Sequence, residues 1–248
     1  MRFKDKVVLI IGGNSGIGLS AAELFAAEGA KLVITGRDRR TLAKAAAATG
    51  ALPVRCEVAD LSTLDHCMAT VREKHGRIDV LFVNAGIGAF APVREITPEL
   101  WDEIHAVNLK GCFFAAQKAL PLMGRGGSIV ITGSIGAEAA VPGNAVYAAS
   151  KAGLRAAARI LGVELLPEGI RVNMISPGPT ETPLINRNID MPPEAVEALR
   201  QIMINAVPMK RMGEAVEVAR AVLFLASDEA SFINGVDLDV DGGCMELS

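Results

Sequence analysis

Tyr147 and Lys151 stand one helical turn apart in Tyr147-Ala148-Ala149-Ser150-Lys151. Side chains at i and i+4 share a helix face, so the ammonium lies near the phenol. An isolated phenol ionises near pH ~10 and is a poor base at neutrality. A close positive charge favours the phenolate, which suits such a pair to pass a proton to or from an oxygen. The same spacing also arises on surface helices where a lysine merely reaches for water, so the neighbours decide. Tyr147 is the single tyrosine of the chain. Ser134, in Thr132-Gly133-Ser134-Ile135-Gly136, follows an apolar run. Its hydroxyl can hydrogen-bond a carbonyl oxygen while Tyr147 protonates it; the alternative is an ordinary turn serine. Asn108, in Ala106-Val107-Asn108-Leu109, is a polar residue within an apolar helical stretch. Asn is unfavourable there and needs partners when buried. It is either a satisfied core amide or the holder of a water near Lys151.

A second constellation is a turn suited to a phosphate. Gly12-Gly13-Asn14-Ser15-Gly16-Ile17-Gly18 directly follows the first apolar run and opens a helix. Glycines permit the tight turn and the close approach of a pyrophosphate, and the helix N-terminus offers free N–H groups and a positive dipole end. The spacing Gly12-x3-Gly16-x-Gly18 differs from GxGxxG, and the lysine of a triphosphate loop is missing. A bound nicotinamide in its oxidised form would place another positive charge by Tyr147. About 20 positions beyond Gly18, where such folds read the adenosine ribose, lies Arg37. The segment Thr35-Gly36-Arg37 offers no carboxylate for the ribose hydroxyls, and Arg39 and Arg40 follow. Guanidinium groups suit a 2′-phosphate, so NADP(H) is expected over NAD(H). The competing reading is a solvated charge cluster at a helix start. Val83-Asn84-Ala85-Gly86 ends a further apolar run with small residues that leave room for a cofactor.

These residues must be positioned by a repeating strand–helix framework. Strands are expected at Val7–Ile11, Lys31–Thr35, Pro53–Val58, Val80–Val83, Ser128–Thr132, Arg171–Ile175 and Val236–Val240. Helices are expected at Gly16–Glu28, Asp38–Ala48, Ser62–Lys74, Pro98–Leu122, Ala145–Leu165 and Glu214–Ala226, with Thr97-Pro98 as a helix start. Strands apolar throughout are those of a parallel sheet covered on both faces. The alternation argues for an α/β, doubly wound Rossmann fold with a seven-stranded parallel sheet, whose ligands bind at the carboxyl ends of the strands. Its 248 residues are read as one domain spanning 1–248. Apolar residues make up 50% and charged residues 21%, the composition of a globular domain, and a net charge of -3 gives no reason to expect nucleic-acid binding. No targeting or membrane-spanning run is apparent, which reads as cytoplasmic. Cys56, Cys67, Cys112 and Cys244 are scattered, as are His66, His75 and His105, so no metal is expected. His75, near a helix end, is placed for a favourable cation–dipole contact.

Taken together and in order, these motifs resemble the short-chain dehydrogenase/reductase family over nearly the whole chain. The carriers are the glycine turn, Asn84-Ala85-Gly86, Asn108, Ser134, Tyr147 with Lys151, and Pro177-Gly178 leading to Thr182. The resemblance implies a catalytic tetrad of Asn108, Ser134, Tyr147 and Lys151. In it Tyr147 is the acid in reduction, Ser134 orients the carbonyl, Lys151 also holds the nicotinamide ribose, and Asn108 keeps a relay water. It also implies that Thr180 and Thr182 lie by the nicotinamide and phosphates, and that an arginine at Arg37 goes with NADP. Two departures stand out. Glu57, followed by Val58, replaces an aspartate common beside the adenine, and Val83 replaces the first Asn of Asn-Asn-Ala-Gly.

The segment from about 184 to 212 breaks the rhythm, with Pro192-Pro193, several Met and a short helix expected from Glu194 to Asn205. In relatives such an insertion covers the substrate; Met203 and its neighbours either line it or pack on the domain. Asn144, three residues before Tyr147, is a further polar candidate. Small residues along Ala145–Ala158 let another helix approach closely, and the resemblance implies a homotetramer. Three activities compete: exchange between ketone and alcohol, reduction of an enoyl double bond, and dinucleotide binding without turnover. Relatives acting on enoyl groups usually space Tyr and Lys further apart, and binding alone does not require Tyr147 with Ser134. A small-molecule carbonyl or alcohol substrate is therefore expected, handled as by a carbonyl reductase.

Overall fold

The computed structural model describes residues 1–183 and 193–247. Its centre is a parallel sheet of seven strands: β1 (Val7–Ile11), β2 (Lys31–Gly36), β3 (Leu52–Arg55), β4 (Val80–Val83), β5 (Ser128–Thr132), β6 (Arg171–Pro177) and β9 (Asp237–Val240). They lie in the order β3-β2-β1-β4-β5-β6-β9. Every neighbouring pair is parallel, so each connection must cross over, and helices fill the crossovers on both faces. One face carries α1 (Gly16–Ala27), α2 (Arg39–Thr49) and α8 (Ala215–Ala226) over Val8, Ile10, Ile34, Phe82 and Val130. The other carries α3 (Leu61–His75), α5 (Cys112–Ala119) and α6 (Ala145–Glu164) over Leu9, Ile11, Leu81, Ile129 and Val172. Buried on both sides, β1 and β4 have no exposed residue, which is why they read as unbroken apolar runs.

The order reverses at β1, whose neighbours are β2 and β4. Loops leaving the ends of β1 and β4 therefore diverge and leave a crevice between them. The glycine turn, Asn84-Ala85-Gly86 and Ser134 all follow strand ends on this side of the sheet.

The structure departs from the sequence expectation at four main points. The expected helix Pro98–Leu122 is divided into α4 (Pro98–His105), a π-helical turn (Ala106–Gly111), α5 and a short 3₁₀ turn (Leu120–Leu122). A π turn inserts one extra residue and marks functional sites; this one is centred on Asn108 and Leu109. Second, β3 ends at Arg55, because Glu57 is drawn off the sheet: its N–H donates to Thr63 Oγ1 at 3.0 Å and its carbonyl accepts from the same hydroxyl at 2.7 Å. Third, β6 runs on to Pro177, which pairs with Val240. Fourth, β7 (Thr180–Glu181) and β8 (Gly213–Glu214) form a small parallel pair that periodicity over so few residues does not reveal.

Thr97 caps α4 as expected, its Oγ1 accepting from Leu100 N–H at 3.2 Å. The helix expected at Glu194–Asn205 is α7 (Pro193–Ala206), and Met203 on it is half-buried. Residues 184–192, the first part of the expected substrate cover, lie outside the described residues. His75 lies in the last turn of α3 as expected, and burial, with the charge of Lys31, pushes its pKa down. Helix α6 leaves Ala145, Ala152 and Ala156 exposed, with Ile160 and Val163 further along. Among the described residues no helix is long and apolar enough to cross a membrane.

Candidate active site

The glycine turn is shaped by close backbone approach. Gly12 has φ +85, and a Cβ there would lie 2.9 Å from Ala85 N. At Gly18 a Cβ would fall 2.0 Å from Gly12 O, so the turn can close only with glycine. Gly16, at φ +52, faces Thr182, whose Cβ would sit 3.3 Å from an added Cβ. This glycine cradle at the start of α1, bordered by the Thr182 side chain, fits a pyrophosphate. Thr35 anchors the turn through its hydroxyl to Gly12 N–H at 3.0 Å and its carbonyl to Gly13 N–H at 2.9 Å. Ser15 is the N-cap of α1 with no capping bond from its side chain, so its hydroxyl stays available to an anion. Asn14 is committed elsewhere, donating to Thr41 Oγ1 at 2.9 Å, and Ile17 packs against the core.

Asn84 has a structural task. Its Nδ2 donates to Gly12 O at 3.0 Å and its Oδ1 accepts from Thr132 Oγ1 at 3.1 Å, tying together the ends of β1, β4 and β5. Ala85 and Gly86 supply the small surface expected of them. A Cβ on Gly86 would lie 3.5 Å from Asn108 Oδ1 and 3.6 Å from Lys151 Nζ, so these two groups flank the chain there.

The structure brings all four proposed chemical residues to this region. Lys151 is buried and donates from Nζ to Thr132 O at 2.9 Å, with Nζ 5.9 Å from the Tyr147 ring centroid. Ser134 Oγ accepts from Gly136 N–H at 3.0 Å, which leaves its own proton to donate. A Cβ on Gly136 would meet Ser134 Oγ at 3.2 Å and Tyr147 Cε1 at 3.5 Å, so hydroxyl and ring converge beside one glycine. Asn144 adds to the cluster, donating from Nδ2 to Gly136 O at 3.0 Å. Its buried Oδ1 has no hydrogen-bond partner among the described residues.

Asn108 is the most extensively hydrogen-bonded of the four. The residue is fully buried; Nδ2 donates to Ile87 O at 2.8 Å and Ser150 Oγ at 3.2 Å, and Oδ1 accepts from Ile87 N–H at 2.9 Å. The amide is thus held by protein groups on both its nitrogen and its oxygen, in the buried interior beside the chain that carries Gly86. Ser150, one residue before Lys151, also donates to Tyr147 O at 2.7 Å, so Asn108 braces the helix turn that carries both. Cys112 lies on the next turn, its Sγ 3.3 Å from Ala85 O, and burial pushes its thiol pKa up against the opposing charge of Lys151.

Arg37 is exposed just past the end of β2, with Arg39 and Arg40 beyond it. Its Nε lies 3.5 Å from Glu57 Oε2, an ion pair that residue spacing alone does not reveal. Strand register accounts for it: Gly36 pairs with Arg55, so residues shortly beyond each meet at adjacent strand ends. Val58 belongs to the core and offers a ligand only its backbone. At the far end, Gly178 N–H donates to Val240 O at 3.1 Å, extending the β6–β9 pairing past Pro177. Thr180 is buried with its hydroxyl on Gly178 O at 2.9 Å, while Thr182 abuts the glycine turn.

Comparison with known proteins agrees with this geometry. A family profile described as "Enoyl-(Acyl carrier protein) reductase" matches residues 11–245. A 3-oxoacyl-(acyl-carrier-protein) reductase FabG of Thermotoga maritima is 38% identical over 250 residues, covering 98% of this chain and 99% of its own. The levodione reductase of Leifsonia aquatica is 36% identical over 253 residues, covering 98% of this chain and 95% of its own. The chain belongs to the short-chain dehydrogenase/reductase family. A crystal structure of levodione reductase superposes with a TM-score of 0.92 at 37% identity, covering 98% of each chain. Membership makes the protein an oxidoreductase that acts on CH–OH and C=O groups with a nicotinamide cofactor, on a single Rossmann-type domain.

Proposed function

We propose that this short-chain dehydrogenase/reductase reduces ketones with NADPH, using Tyr147 as the proton donor. The observation that carries the reading is the convergence of Ser134 Oγ and the Tyr147 ring beside Gly136, with the buried Lys151 ammonium 5.9 Å from that ring. A bound nicotinamide supplies the hydride. Ser134 keeps its O–H for the substrate carbonyl and orients it. Tyr147 then gives its phenolic proton to the same oxygen as negative charge develops there. Lys151, held by Thr132 O, stabilises the negative charge left on Tyr147 through a medium of low polarisability. Asn108 acts by position, because its amide fixes both Ile87 and Ser150.

The glycine cradle of Gly12, Gly16 and Gly18, with Ser15, would take the pyrophosphate, and Thr180 and Thr182 would lie by the nicotinamide and the phosphates, Thr182 beside Gly16. Two facts favour the 2′-phosphate. Arg37 presents its guanidinium to solvent at the end of β2. Position 36 is glycine and carries no carboxylate, and a Cβ there would fall 2.5 Å from Asn14 Cγ, so any side chain would first have to displace the Asn14 amide. The two relatives, a 3-oxoacyl reductase and a levodione reductase, are by name ketone reductases, which supports ketone over enoyl reduction here. The assembled serine, tyrosine and lysine disfavour a dinucleotide-binding subunit without turnover. The same reading makes the enzyme cytoplasmic and a homotetramer, with the exposed small face of α6 as one contact. Following NADPH and NADH oxidation over ketones, 3-oxoacyl thioesters, sugars and steroids tests it. Turnover of a ketone with NADPH supports it, and turnover of enoyl substrates alone would overturn it.

A further inference from the structure

We infer that Glu57 is a specificity-determining residue which restrains the preference for NADP(H) by partly neutralising Arg37. The inference rests on the reading of Arg37 as the site of the 2′-phosphate. Both residues are held by their backbones. Cys56 N–H donates to Gly36 O at 3.2 Å, and Arg55 Nε donates to Arg37 O at 3.3 Å, which locks the end of β3 to the end of β2. Thr63 fixes Glu57 at its N–H and its carbonyl alike. The carboxylate is therefore presented to Arg37 by the framework, in a neighbourhood that also carries Arg39, Arg40 and Arg55 and the helix caps Asp38 and Asp60.

The sign follows from geometry. At 3.5 Å from Nε, Glu57 Oε2 stands beyond the usual hydrogen-bond range of about 2.7–3.2 Å, so it acts on Arg37 through charge more than through alignment. A 2′-phosphate seated on the guanidinium would have this carboxylate as a near neighbour, on the order of 7 Å away, and would carry about -1.5 to -2 charges. Repulsion at that separation through largely aqueous surroundings weakens NADP(H) binding by about five- to tenfold. NAD(H), whose ribose is uncharged, is not subject to it. Glu57 thus narrows the gap between the cofactors while Arg37 sets its direction.

Glu57→Gln removes the charge, keeps the shape, and changes a half-exposed residue. Dissociation constants for NADPH and NADH, measured by cofactor fluorescence without substrate, give a readout separate from turnover. Expected is a five- to tenfold tightening for NADPH at about 20 mM salt, shrinking to less than about twofold at 0.5 M, with NADH unchanged. Glu57→Asp, which keeps the charge, should stay close to wild type. If Arg37→Ala abolishes the preference for NADPH but Glu57→Gln leaves NADPH affinity unchanged or weaker, the inference is wrong and the cofactor reading stands. A wild-type protein that prefers NADH would remove both.

Discussion

Asn108→Ala should destabilise the protein more than it disturbs the reacting groups directly. Its fully buried amide makes three hydrogen bonds to groups outside the π turn, two of them to the N–H and C=O of Ile87. Truncation leaves both backbone groups without partners where water reaches poorly. Each orphaned group costs about 1–3 kcal/mol, and a water entering the vacated volume recovers part, so a loss of about 3 kcal/mol is expected. For a domain of this size that lowers Tm by about 6–12 °C. Released from Asn108, Ile87 and Ser150 loosen the chain beyond Gly86 and the helix turn carrying Tyr147 and Lys151, so kcat falls as well. Thermal melting with and without saturating NADPH, alongside steady-state kinetics, separates the two effects. A variant that melts like wild type yet has lost turnover would refute the bracing role and return Asn108 to direct chemistry.

Two other perturbations probe the frame. Gly18→Ala places a Cβ 2.0 Å from Gly12 O and 2.7 Å from Asn84 Nδ2, so cofactor affinity should drop more than about tenfold with a stability loss of about 1–3 kcal/mol or more; tight NADPH binding by this variant in a fluorescence titration would contradict the cradle. Glu28 is held at a pKa of about 2, chiefly by its hydrogen bond from Arg2. A carboxylate depressed in the folded state stabilises it above the unfolded value near ~4.3 and loses that contribution as pH falls towards about 2. The Tm of Glu28→Gln should therefore approach that of wild type as pH falls from 5 towards 2; two curves running parallel would sink this assignment.

Much of the fold and of the site is legible in the sequence, for identifiable reasons. Strands β1 and β4 are buried on both faces, and that environment admits only apolar runs of the kind they show. Tyr147, Lys151 and Ser134 can be paired from the sequence alone, because a helix turn and a strand end fix their spacing. Features made by long-range contacts are not legible in this way. The π turn at Asn108 has no signature in helical periodicity; it exists because the amide bonds to Ile87, some 20 positions earlier in the chain. The pair of Arg37 and Glu57 depends on β2–β3 register, and β3 itself is shorter than its residue pattern suggests because the Thr63 hydroxyl that diverts Glu57 lies in the following helix. Asn84 reads as part of a cofactor surface, yet its amide is consumed in joining three strands.

The central claim is that Tyr147 moves the proton, and Tyr147→Phe tests it most directly, because it removes one oxygen and leaves the ring beside Gly136 and Lys151. General acid catalysis contributes about 10²–10⁴-fold, so ketone-dependent NADPH oxidation should fall at least a hundredfold, while the dissociation constant for NADPH stays within about twofold of wild type. Turnover within tenfold of wild type, with cofactor bound normally, would contradict the account.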